Sequence, residues 1–257
     1  MQPIITFEGR TIVVTGAAQG IGKAVAELVA GLGGNVVALD MNGEKLSQSL
    51  AGLDPDRVLL AAGSVTDEAL AGQMVQDAVA RFGAVHGLVN NAGITRPALI
   101  EKMTPQQWQE VLDVHLTGSF YWTQAVGRHL LARFKDGDRV GGSIVYISSD
   151  AGRKGSIGQI NYAAAKAGML AMGMTAAREW ARYGVRANSV CFGVVETPMT
   201  EVVRGEKFRD GMLAQIPMNR WASAEEVVKT ICFLLSDASS YTTGQYLAVN
   251  GGFHISL

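Results

Sequence analysis

Tyr162 and Lys166 lie four residues apart in a segment whose apolar spacing predicts a helix, so their side chains share one helical face. A phenol with a pKa near 10 is a poor acid or base at neutral pH, but a neighbouring ammonium favours the phenolate and lowers that pKa. Tyr162 can then take a proton from an alcohol or give one to a carbonyl oxygen. Ser149 follows a predicted strand and can donate a hydrogen bond to the same oxygen. A Tyr–Lys pair alone is typical of any helix surface, so other motifs must support this chemistry.

A glycine-rich turn provides that support. The predicted strand Thr11–Thr15 runs directly into glycines and then into a helix, which is the arrangement that places a pyrophosphate at a helix N-terminus. Gly16 permits the tight turn, and Gly20 and Gly22 let the backbone approach the ligand; a plain tight turn is the alternative. The predicted contact residues of the turn are Gly16, Gln19, Gly20, Ile21 and Gly22.

Asp40 ends the next predicted strand, Asn35–Asp40, at the position of a ribose-binding acid. Its carboxylate can accept hydrogen bonds from the adenosine ribose hydroxyls and repels a 2′-phosphate. Met41 follows it, and the nearby base that we considered is Lys23, which lies inside the helix after the glycine turn. The pattern predicts NAD(H) rather than NADP(H); the alternative is that Asp40 only caps the following turn.

Apolar runs rich in β-branched residues alternate with helical patterns along the whole chain. The predicted strands are Thr11–Thr15, Asn35–Asp40, Arg57–Ala62, Gly87–Asn90, Ser143–Ser148, Arg186–Val190 and Gln245–Val249. The predicted helices are Gly20–Gly31, Thr66–Phe82, Thr104–Arg133, Asn161–Tyr183 and Ser223–Leu235. Nearly continuous apolar strands indicate a sheet that is covered on both faces. We therefore predict an α/β fold: one doubly wound Rossmann-type domain, residues 1–257, whose seven-stranded parallel sheet is flanked by helices.

The composition argues against several other classes of protein. The 257 residues include 22 basic and 23 acidic side chains, so no charged surface for nucleic acid or an acidic membrane is expected. The histidines are scattered, which argues against a metal site. Cys191 and Cys232 cannot form a disulfide scaffold, and Met1–Ile4 does not begin a signal peptide. With no apolar run of about 18 residues, we expect a cytoplasmic protein.

The motifs together resemble those of the short-chain dehydrogenase/reductase family over residues 7–253. They are the turn Thr15–Gly22, the segment Asn90–Gly93, and Ser149 thirteen residues before Tyr162-x-x-x-Lys166. The resemblance implies that Ser149 orients the substrate and that Tyr162 is the general acid/base. It also implies that Lys166 both lowers the pKa of Tyr162 and binds the nicotinamide ribose.

The same resemblance implies further contacts and an assembly. Asn91 and the Gly93 backbone would line the cofactor, Val195 and Thr197 would meet its carboxamide, and residues from about 199 to 217 would form a mobile lid over the substrate. Ser64 and Val65 lie in the adenine position, where the family usually has Asp before Val, so the adenine would be held less firmly. The C-terminal segment Tyr246–Leu257 implies a homotetramer.

His115 departs from the family pattern. The sequence here is Val114-His115-Leu116-Thr117-Gly118, where the family usually has an asparagine that holds a water on the proton path to the active-site lysine. Imidazole can also donate and accept hydrogen bonds, and it titrates near neutrality. We hypothesise that His115 keeps the water relay and adds a pH dependence. The alternative is a structural histidine bonded to a neighbouring carbonyl.

Within the family, the stretches 90–104 and 158–168 resemble the 3-oxoacyl thioester reductases. Tyr183 stands where carrier-protein reductases tend to show a basic residue, which leaves CoA esters or a free ketone open. Arg182 and the loop 133–139 could substitute for that basic residue, although a solvated surface is the simpler interpretation. The expected substrate is a 3-oxoacyl or 3-hydroxyacyl thioester. The alternatives are a small cyclic alcohol, polyol or sugar, or a catalytically silent NAD-binding regulator.

Overall fold

A seven-stranded sheet, in which each strand runs parallel to its neighbours, lies at the centre of the protein. Its structure is a computed structural model that describes residues 4–255. The strands are β1 (Thr11–Thr15), β2 (Asn35–Asp40), β3 (Val58–Ala62), β4 (Gly87–Asn90), β5 (Gly142–Ser149), β6 (Val185–Phe192) and β7 (Tyr246–Val249). Their order across the sheet is β3-β2-β1-β4-β5-β6-β7.

Helices cover both faces of this sheet. They are α1 (Gly20–Gly31), α2 (Gly43–Ser49), α3 (Glu68–Phe82), α4 (Pro105–Leu112), α5 (Gly118–Lys135), α6 (Ala151–Lys154), α7 (Ile160–Trp180), α8 (Glu201–Arg204), α9 (Glu206–Leu213) and α10 (Ala224–Leu235). Side chains of α1, α2 and α10 share one apolar core with the sheet, and those of α3, α5 and α7 share the other. The predicted doubly wound α/β fold is confirmed.

The inner strands β1 and β4 are buried along their whole length, which is why their sequences are nearly continuous apolar runs. All residues of β1 and of β4 are buried, because helices pack against both faces and leave no side that favours polar residues. The predicted strand ends shift by one or two residues; β5, for example, continues to Ser149 and β6 to Phe192.

The chain changes direction across the sheet between β1 and β4. After β1 it adds β2 and β3 on one side, and it then returns to place β4 on the other side of β1. In open parallel sheets, ligands bind at the carboxyl ends of the strands at such a switch point. Gly16, Asp40, Asn91 and Ser149 follow or end strands at this edge, so the topology brings the predicted site residues together.

The long helix predicted over Thr104–Arg133 is interrupted. Helix α4 ends at Leu112, a π-helical segment spans Asp113–Thr117, and α5 then continues to Lys135. Extra residues of this kind in a helix are frequent at functional sites, and this segment carries His115. Apolar periodicity does not distinguish a π turn from regular helix, so the interruption could not be predicted from it.

Two further differences concern helix starts. Asp67, rather than Thr66, caps α3, because its side chain accepts a hydrogen bond from the Leu70 N–H. Helix α2, which was not predicted, begins after Asn42, whose side chain accepts from the Lys45 N–H. The starts predicted at Thr104 and Ser223 are confirmed, since both side chains accept from the backbone three residues on.

The signal-peptide and subunit-interface expectations concern the two ends of the chain. The signal-peptide expectation was based on Met1–Ile4, and residues 1–3 of that segment lie outside the described residues. The last two residues of the expected interface segment also lie outside them. Across residues 4–255, no helix has the length and apolar character needed to cross a bilayer. The expected lid contains α8 and α9.

Candidate active site

A cavity of about 340 Å³ opens at the carboxyl edge of the sheet, beside the ends of β1, β2, β4, β5 and β6. Most of the residues predicted from the sequence line it, and three, Gly22, Ser64 and His115, do not. Those that line it are Gly16, Gln19, Gly20, Ile21, Asp40, Met41, Val65, Asn91, Gly93, Ser149, Tyr162, Lys166, Val195 and Thr197.

The glycine turn at one end of the cavity is shaped to accept an anion. Gly16 and Gly20 have φ angles of 68° and 55°, a left-handed conformation that only glycine adopts without strain. Helix α1 starts after Gln19 with no side-chain cap and no acidic residue in its first turn. Its first N–H groups therefore have no competing side-chain partner, and they fit the diphosphate of a dinucleotide.

Gly22 lies behind the cavity wall rather than on it, and the predicted approach of its backbone to the pyrophosphate stays a prediction. A Cβ there would lie 2.1 Å from the Gly16 carbonyl oxygen and 2.6 Å from Asn91 Nδ2. Asn91 Nδ2 in turn donates to the carbonyls of Thr15 (2.9 Å) and Gly16 (3.0 Å). Gly22 thus permits the turn to pack closely, and Asn91 ties β1 to the segment after β4.

Asp40 holds the turn as well as facing the cavity. Its Oδ2 accepts a hydrogen bond from the Ala18 N–H and its Oδ1 accepts one from the Asn42 N–H, each at 3.0 Å. The structure therefore contains the turn-capping contact that we considered as the alternative. Because Asp40 also lines the cavity, its remaining lone pairs are available to a ribose.

Lys45 is a basic residue at this end of the cavity that sequence reasoning missed. Its Nζ donates to Gln19 Oε1, and Gln19 lines the cavity. We considered only Lys23, which instead pairs with Glu27 at 3.2 Å. The available signal was Asn42, a residue type that commonly caps helices. A helix that begins after Asn42 places Lys45 in its first turn, close to Asp40.

Ser64 does not line the cavity because its hydroxyl is used locally. It lies 2.7 Å from the Thr66 hydroxyl and accepts a hydrogen bond from the Thr66 N–H. Gly63 and Val65 line the cavity on either side of it. The predicted contact of Ser64 with adenine is therefore not supported by the position of its side chain.

Ser149, Tyr162 and Lys166 come together at the other end of the cavity. Ser149 is the last residue of β5, its Oγ accepts a hydrogen bond from the Ala151 N–H at 3.2 Å, and it hydrogen-bonds Tyr162. Tyr162 and Lys166 project from the first turns of α7. Lys166 Nζ donates to the Ile147 carbonyl at 2.6 Å and lies 5.5 Å from the centre of the Tyr162 ring.

Burial controls the ionisation of this pair. It raises the pKa of Tyr162 to about 12, against a smaller opposite effect of the hydrogen bond from Ser149. It lowers the pKa of Lys166 to about 7. In the protein alone the net shift of the Tyr162 pKa is therefore upward, because loss of hydration disfavours the charged form of both groups. A lowering of the Tyr162 pKa by Lys166 stays a prediction.

His115 is fully buried behind Gly93 and packs edge-on against Tyr162, with the ring centres 5.4 Å apart. Its Nε2 lies within hydrogen-bond distance of both the N–H and the carbonyl of Ile94. Burial and the nearby Lys166 lower the pKa of His115 to about 3. The structure thus contradicts the expectation that His115 titrates near neutrality and contains the carbonyl contact we gave as the alternative.

Several further residues line the cavity and were not predicted to bind cofactor. They are Gly63, Ala92, Ile94, Val114, Ile147, Ser148, Phe192, Gly193, Pro198, Met199 and Thr200. The signal available for them was their position next to a predicted strand end or site residue. Among the described residues, no group of three or more His, Cys, Asp or Glu side chains is placed to hold a metal ion.

A protein-family model described as "Enoyl-(Acyl carrier protein) reductase" matches residues 16–254. A 3-oxoacyl-[acyl-carrier-protein] reductase of Thermotoga maritima is 42% identical over 251 residues, which cover 97% of this chain and 99% of the relative. The chain belongs to the short-chain dehydrogenase/reductase family.

Two other members of the family are similar to this chain over nearly their whole lengths. An acetoacetyl-CoA reductase of Synechocystis is 40% identical over 256 residues, covering 96% of this chain and 98% of the relative. The crystal structure of a short-chain dehydrogenase/reductase from Brucella melitensis, titled glucose/ribitol dehydrogenase, superposes with a TM-score of 0.91. It is 33% identical, and the match covers 98% of this chain and 99% of that one.

Family membership sets the general chemistry of the site. This short-chain dehydrogenase/reductase is an oxidoreductase that acts on CH–OH or C=O groups with a nicotinamide cofactor. The glycine turn fits that cofactor, as shown by the left-handed glycines and the uncapped start of α1.

We expect the Gly93→Ala substitution to destabilise the protein through His115. A Cβ at residue 93 would lie 2.3 Å from His115 Cε1, and overpacking of this kind costs about 1–3 kcal/mol. In a His115→Asn background the cost should be smaller, because asparagine lacks the ring atoms. The free energies of unfolding of the four proteins, measured with urea, give the coupling between the two sites.

Gly72→Ala is the matched control for this cycle, because a Cβ at that helical position meets nothing within 4 Å. We expect it to be neutral or stabilising and independent of His115. Purely additive effects of Gly93→Ala and His115→Asn would contradict the packing described here.

We also expect Lys166→Met to stabilise the protein more at pH 6 than at pH 9. The pKa of Lys166 falls from its ordinary value of 10.5 to about 7 in the folded protein, so the unfolded state binds more protons between those values. The cost of burying the ammonium is complete below pH 7 and declines as the pH rises towards 10.5. Melting temperatures of both proteins at the two pH values measure the difference.

Lys23→Met serves as the control for this comparison, because Lys23 is partly exposed on α1. It should show no such dependence on pH. An equal gain from Lys166→Met at both pH values would mean that the folded protein leaves the pKa of Lys166 unchanged.

Proposed function

We propose that this protein transfers hydride between NAD(H) and carbon 3 of a 3-oxoacyl or 3-hydroxyacyl thioester. The observation that supports this proposal best is the meeting of Ser149, Tyr162 and Lys166 at one end of a cavity whose other end is the glycine turn. Such a site places a proton donor and a hydrogen-bond donor where a substrate oxygen can reach both.

Each group has a distinct task in the proposed reaction. When bound, the nicotinamide supplies the hydride for reduction or accepts it during oxidation. Ser149 donates a hydrogen bond to the substrate oxygen and makes its carbon more electrophilic. Tyr162 is protonated at neutral pH, since its pKa is raised to about 12, and gives its proton to that oxygen during reduction. In oxidation the same proton returns to Tyr162.

Lys166 and the dinucleotide contacts complete the proposed machinery. Lys166 can restore the proton of Tyr162, because its pKa of about 7 allows it to gain and lose protons near neutrality. The start of α1 would hold the diphosphate, and Asp40 would bind the adenosine ribose. Val195 and Thr197, which line the cavity, would meet the carboxamide, as the family resemblance implies.

The substrate class rests on the relatives and on the entrance to the cavity. The names of two relatives, at 42% and 40% identity, state activity on 3-oxoacyl-[acyl-carrier-protein] and on acetoacetyl-CoA. The loops that follow β4, β5 and β6 carry exposed large apolar side chains at the same edge of the sheet: Leu99, Ile100, Ile157, Ile160, Met199, Val202 and Phe208. Of these, Met199 also lines the cavity. Apolar side chains at this edge favour a substrate with an acyl chain over a polyol.

The acyl carrier is more simply CoA than a protein. Arg133, in the loop that could have supplied basic residues for docking, donates to the Val85 carbonyl at 2.8 Å and pairs with Asp138. Arg139 lies over the Phe134 ring, 4.1 Å from its centre. Both arginines therefore make contacts within the loop. The homotetramer and the cytoplasmic location expected from the sequence stay predictions.

We expect the protein to reduce acetoacetyl-CoA with NADH, which is followed as loss of reduced-nicotinamide absorbance. We expect Tyr162→Phe to lower kcat at least about 100-fold. The loss follows from removing the proton donor, while NADH binding, measured by fluorescence, should persist. Tyr241→Phe is the control, since Tyr241 is fully exposed and does not line the cavity.

A substrate panel should add 3-hydroxybutyryl-CoA, ribitol, glucose and a cyclic alcohol, each with NAD⁺. Faster turnover of any of these than of 3-hydroxybutyryl-CoA would overturn the thioester assignment in favour of alcohol or sugar oxidation. NADH binding without turnover of any substrate would support a silent regulator instead.

The preference for NAD(H) is proposed from the charges at the adenosine end. Asp40 presents a carboxylate where the ribose hydroxyls would lie and disfavours a 2′-phosphate. Lys45, through its contact with Gln19, places one ammonium at the same end and opposes that effect. The preference for NAD(H) therefore depends on the balance of these two charges. The Asp40 carboxylate has the larger effect in this proposal, because Asp40 lines the cavity.

We expect a higher kcat/KM with NADH than with NADPH, and expect Asp40→Asn to narrow the ratio about tenfold, equivalent to about 1.4 kcal/mol. Adding Lys45→Met to Asp40→Asn should then weaken NADPH use without changing NADH use. Lys23→Met, which removes a lysine bound to Glu27, is the matched control. A higher kcat/KM of the wild-type protein with NADPH than with NADH would contradict the cofactor assignment.

A further inference from the structure

A buried carboxylate follows Ser149 directly. Asp150 is 2% exposed, although an ionised carboxylate is costly to remove from water unless it is paired and hydrogen-bonded. The machinery proposed above has no use for it. Its position, between the last residue of β5 and the first residue of α6, places it in the turn that carries Ser149.

The partners of the Asp150 side chain come from two parts of the chain. Oδ2 accepts a hydrogen bond from Asn250 Nδ2 at 2.7 Å, across 100 residues of sequence. Oδ1 lies 3.4 Å from Arg153 Nη1, and the Arg153 side chain is itself 8% exposed. The guanidinium also lies over the Tyr246 ring of β7, 4.9 Å from its centre. The carboxylate thus connects α6 to the C-terminal part of the chain.

The backbone of the same turn controls the Ser149 hydroxyl. The Asp150 N–H donates to the Phe192 carbonyl at 3.0 Å, and the Ala151 N–H donates to Ser149 Oγ at 3.2 Å. With one lone pair of Ser149 Oγ held by Ala151, the hydroxyl proton is left to point to Tyr162 or to a substrate. A shift of the first turn of α6 would release this restraint.

Asn250 belongs to a segment that we name the C-terminal strap, residues 249–254. Within it, Asn250 Nδ2 also donates to the His254 carbonyl, and Oδ1 accepts from the Gly252 N–H, both at 3.0 Å. The Met218 N–H, just past the expected lid, donates to the Gly251 carbonyl at 3.1 Å. The strap therefore contacts both the end of the lid and the turn after Ser149.

We propose that Asp150 is a positioning residue for Ser149, and that Asn250 of the C-terminal strap holds its carboxylate in place. This inference rests on the proposed role of Ser149. Through the contact at 2.7 Å, the strap fixes the first turn of α6, and that turn directs the Ser149 hydroxyl to the substrate oxygen.

The charges around Asp150 are consistent with this role. Burial raises the pKa of the Asp150 carboxyl, while Asn250, Arg153, His254 and Lys154 lower it. The Asp150 carboxylate in turn helps to raise the pKa of the Cys191 thiol on β6. A second negative charge at Asn250 would therefore face Asp150 at short range in a poorly hydrated place, and one carboxyl of the pair would take up a proton.

We expect Asn250→Asp to lower kcat about tenfold at pH 8, because two carboxylates would repel across the contact and shift the turn. Activity should recover in part as the pH falls to 6, when the pair shares a proton. The affinity for NADH should stay unchanged, since the turn lies at the substrate end. The exchange variant Asp150→Asn/Asn250→Asp restores one amide and one carboxylate, and should recover kcat at pH 8.

Asp237→Asn is the control, because that carboxylate is 83% exposed and pairs only with Arg10 among the described residues. Melting temperatures separate a loss of folding from a loss of positioning. A wild-type kcat for Asn250→Asp, or a loss of kcat that neither low pH nor the exchange variant reverses, would overturn the inference. Failure of the wild-type protein to turn over any substrate of the panel would instead contradict the proposed function.

Discussion

The close approach of β1 to the segment after β4 is the constraint on which the site depends. Three groups meet there: the Gly16 carbonyl, the backbone of Gly22 and the side-chain amide of Asn91. They are so close that a Cβ at Gly22 would lie 2.1 Å from the Gly16 carbonyl oxygen. Asn91 closes this space with hydrogen bonds to the ends of β1 and the turn. Because the turn is fixed there, the start of α1 faces the cavity, and the cavity extends from Asp40 at one end to Ser149 at the other.

Burial governs the chemistry at the substrate end. It moves the pKa of Tyr162 up and the pKa of Lys166 down, since it disfavours charge whichever sign that charge has. The result at neutral pH is a protonated phenol beside an amine that titrates near neutrality. A positive charge brought into the cavity would favour the phenolate by the same electrostatics, so the protein alone is prepared to donate a proton. His115 stays neutral next to them and contributes packing and a backbone contact.

The two ends of the cavity are held by different parts of the chain. At the cofactor end, Asp40 and Lys45 follow the same strand and are close in sequence. At the substrate end, Ser149 lies in a turn whose buried carboxylate is bonded to a residue 100 positions away. In the proposed function, cofactor preference can therefore change through local substitutions after β2. In the same proposal, orientation of the substrate depends on the C-terminal part of the chain as well, which packs beside the expected lid.

The alternation of strands and helices, the glycine turn, Asp40 and the group of Ser149, Tyr162 and Lys166 could be predicted from the residues. These features depend on local rules: apolar periodicity, turn chemistry and the spacing of side chains on one helix. Only the folded chain shows that a Cβ at Gly22 would meet the Gly16 carbonyl, that a π turn buries His115, that Ser64 bonds to Thr66, and that Asp150 meets Asn250. Those outcomes, and the pKa values with them, depend on which distant segments exclude water from a side chain, and no local pattern encodes that.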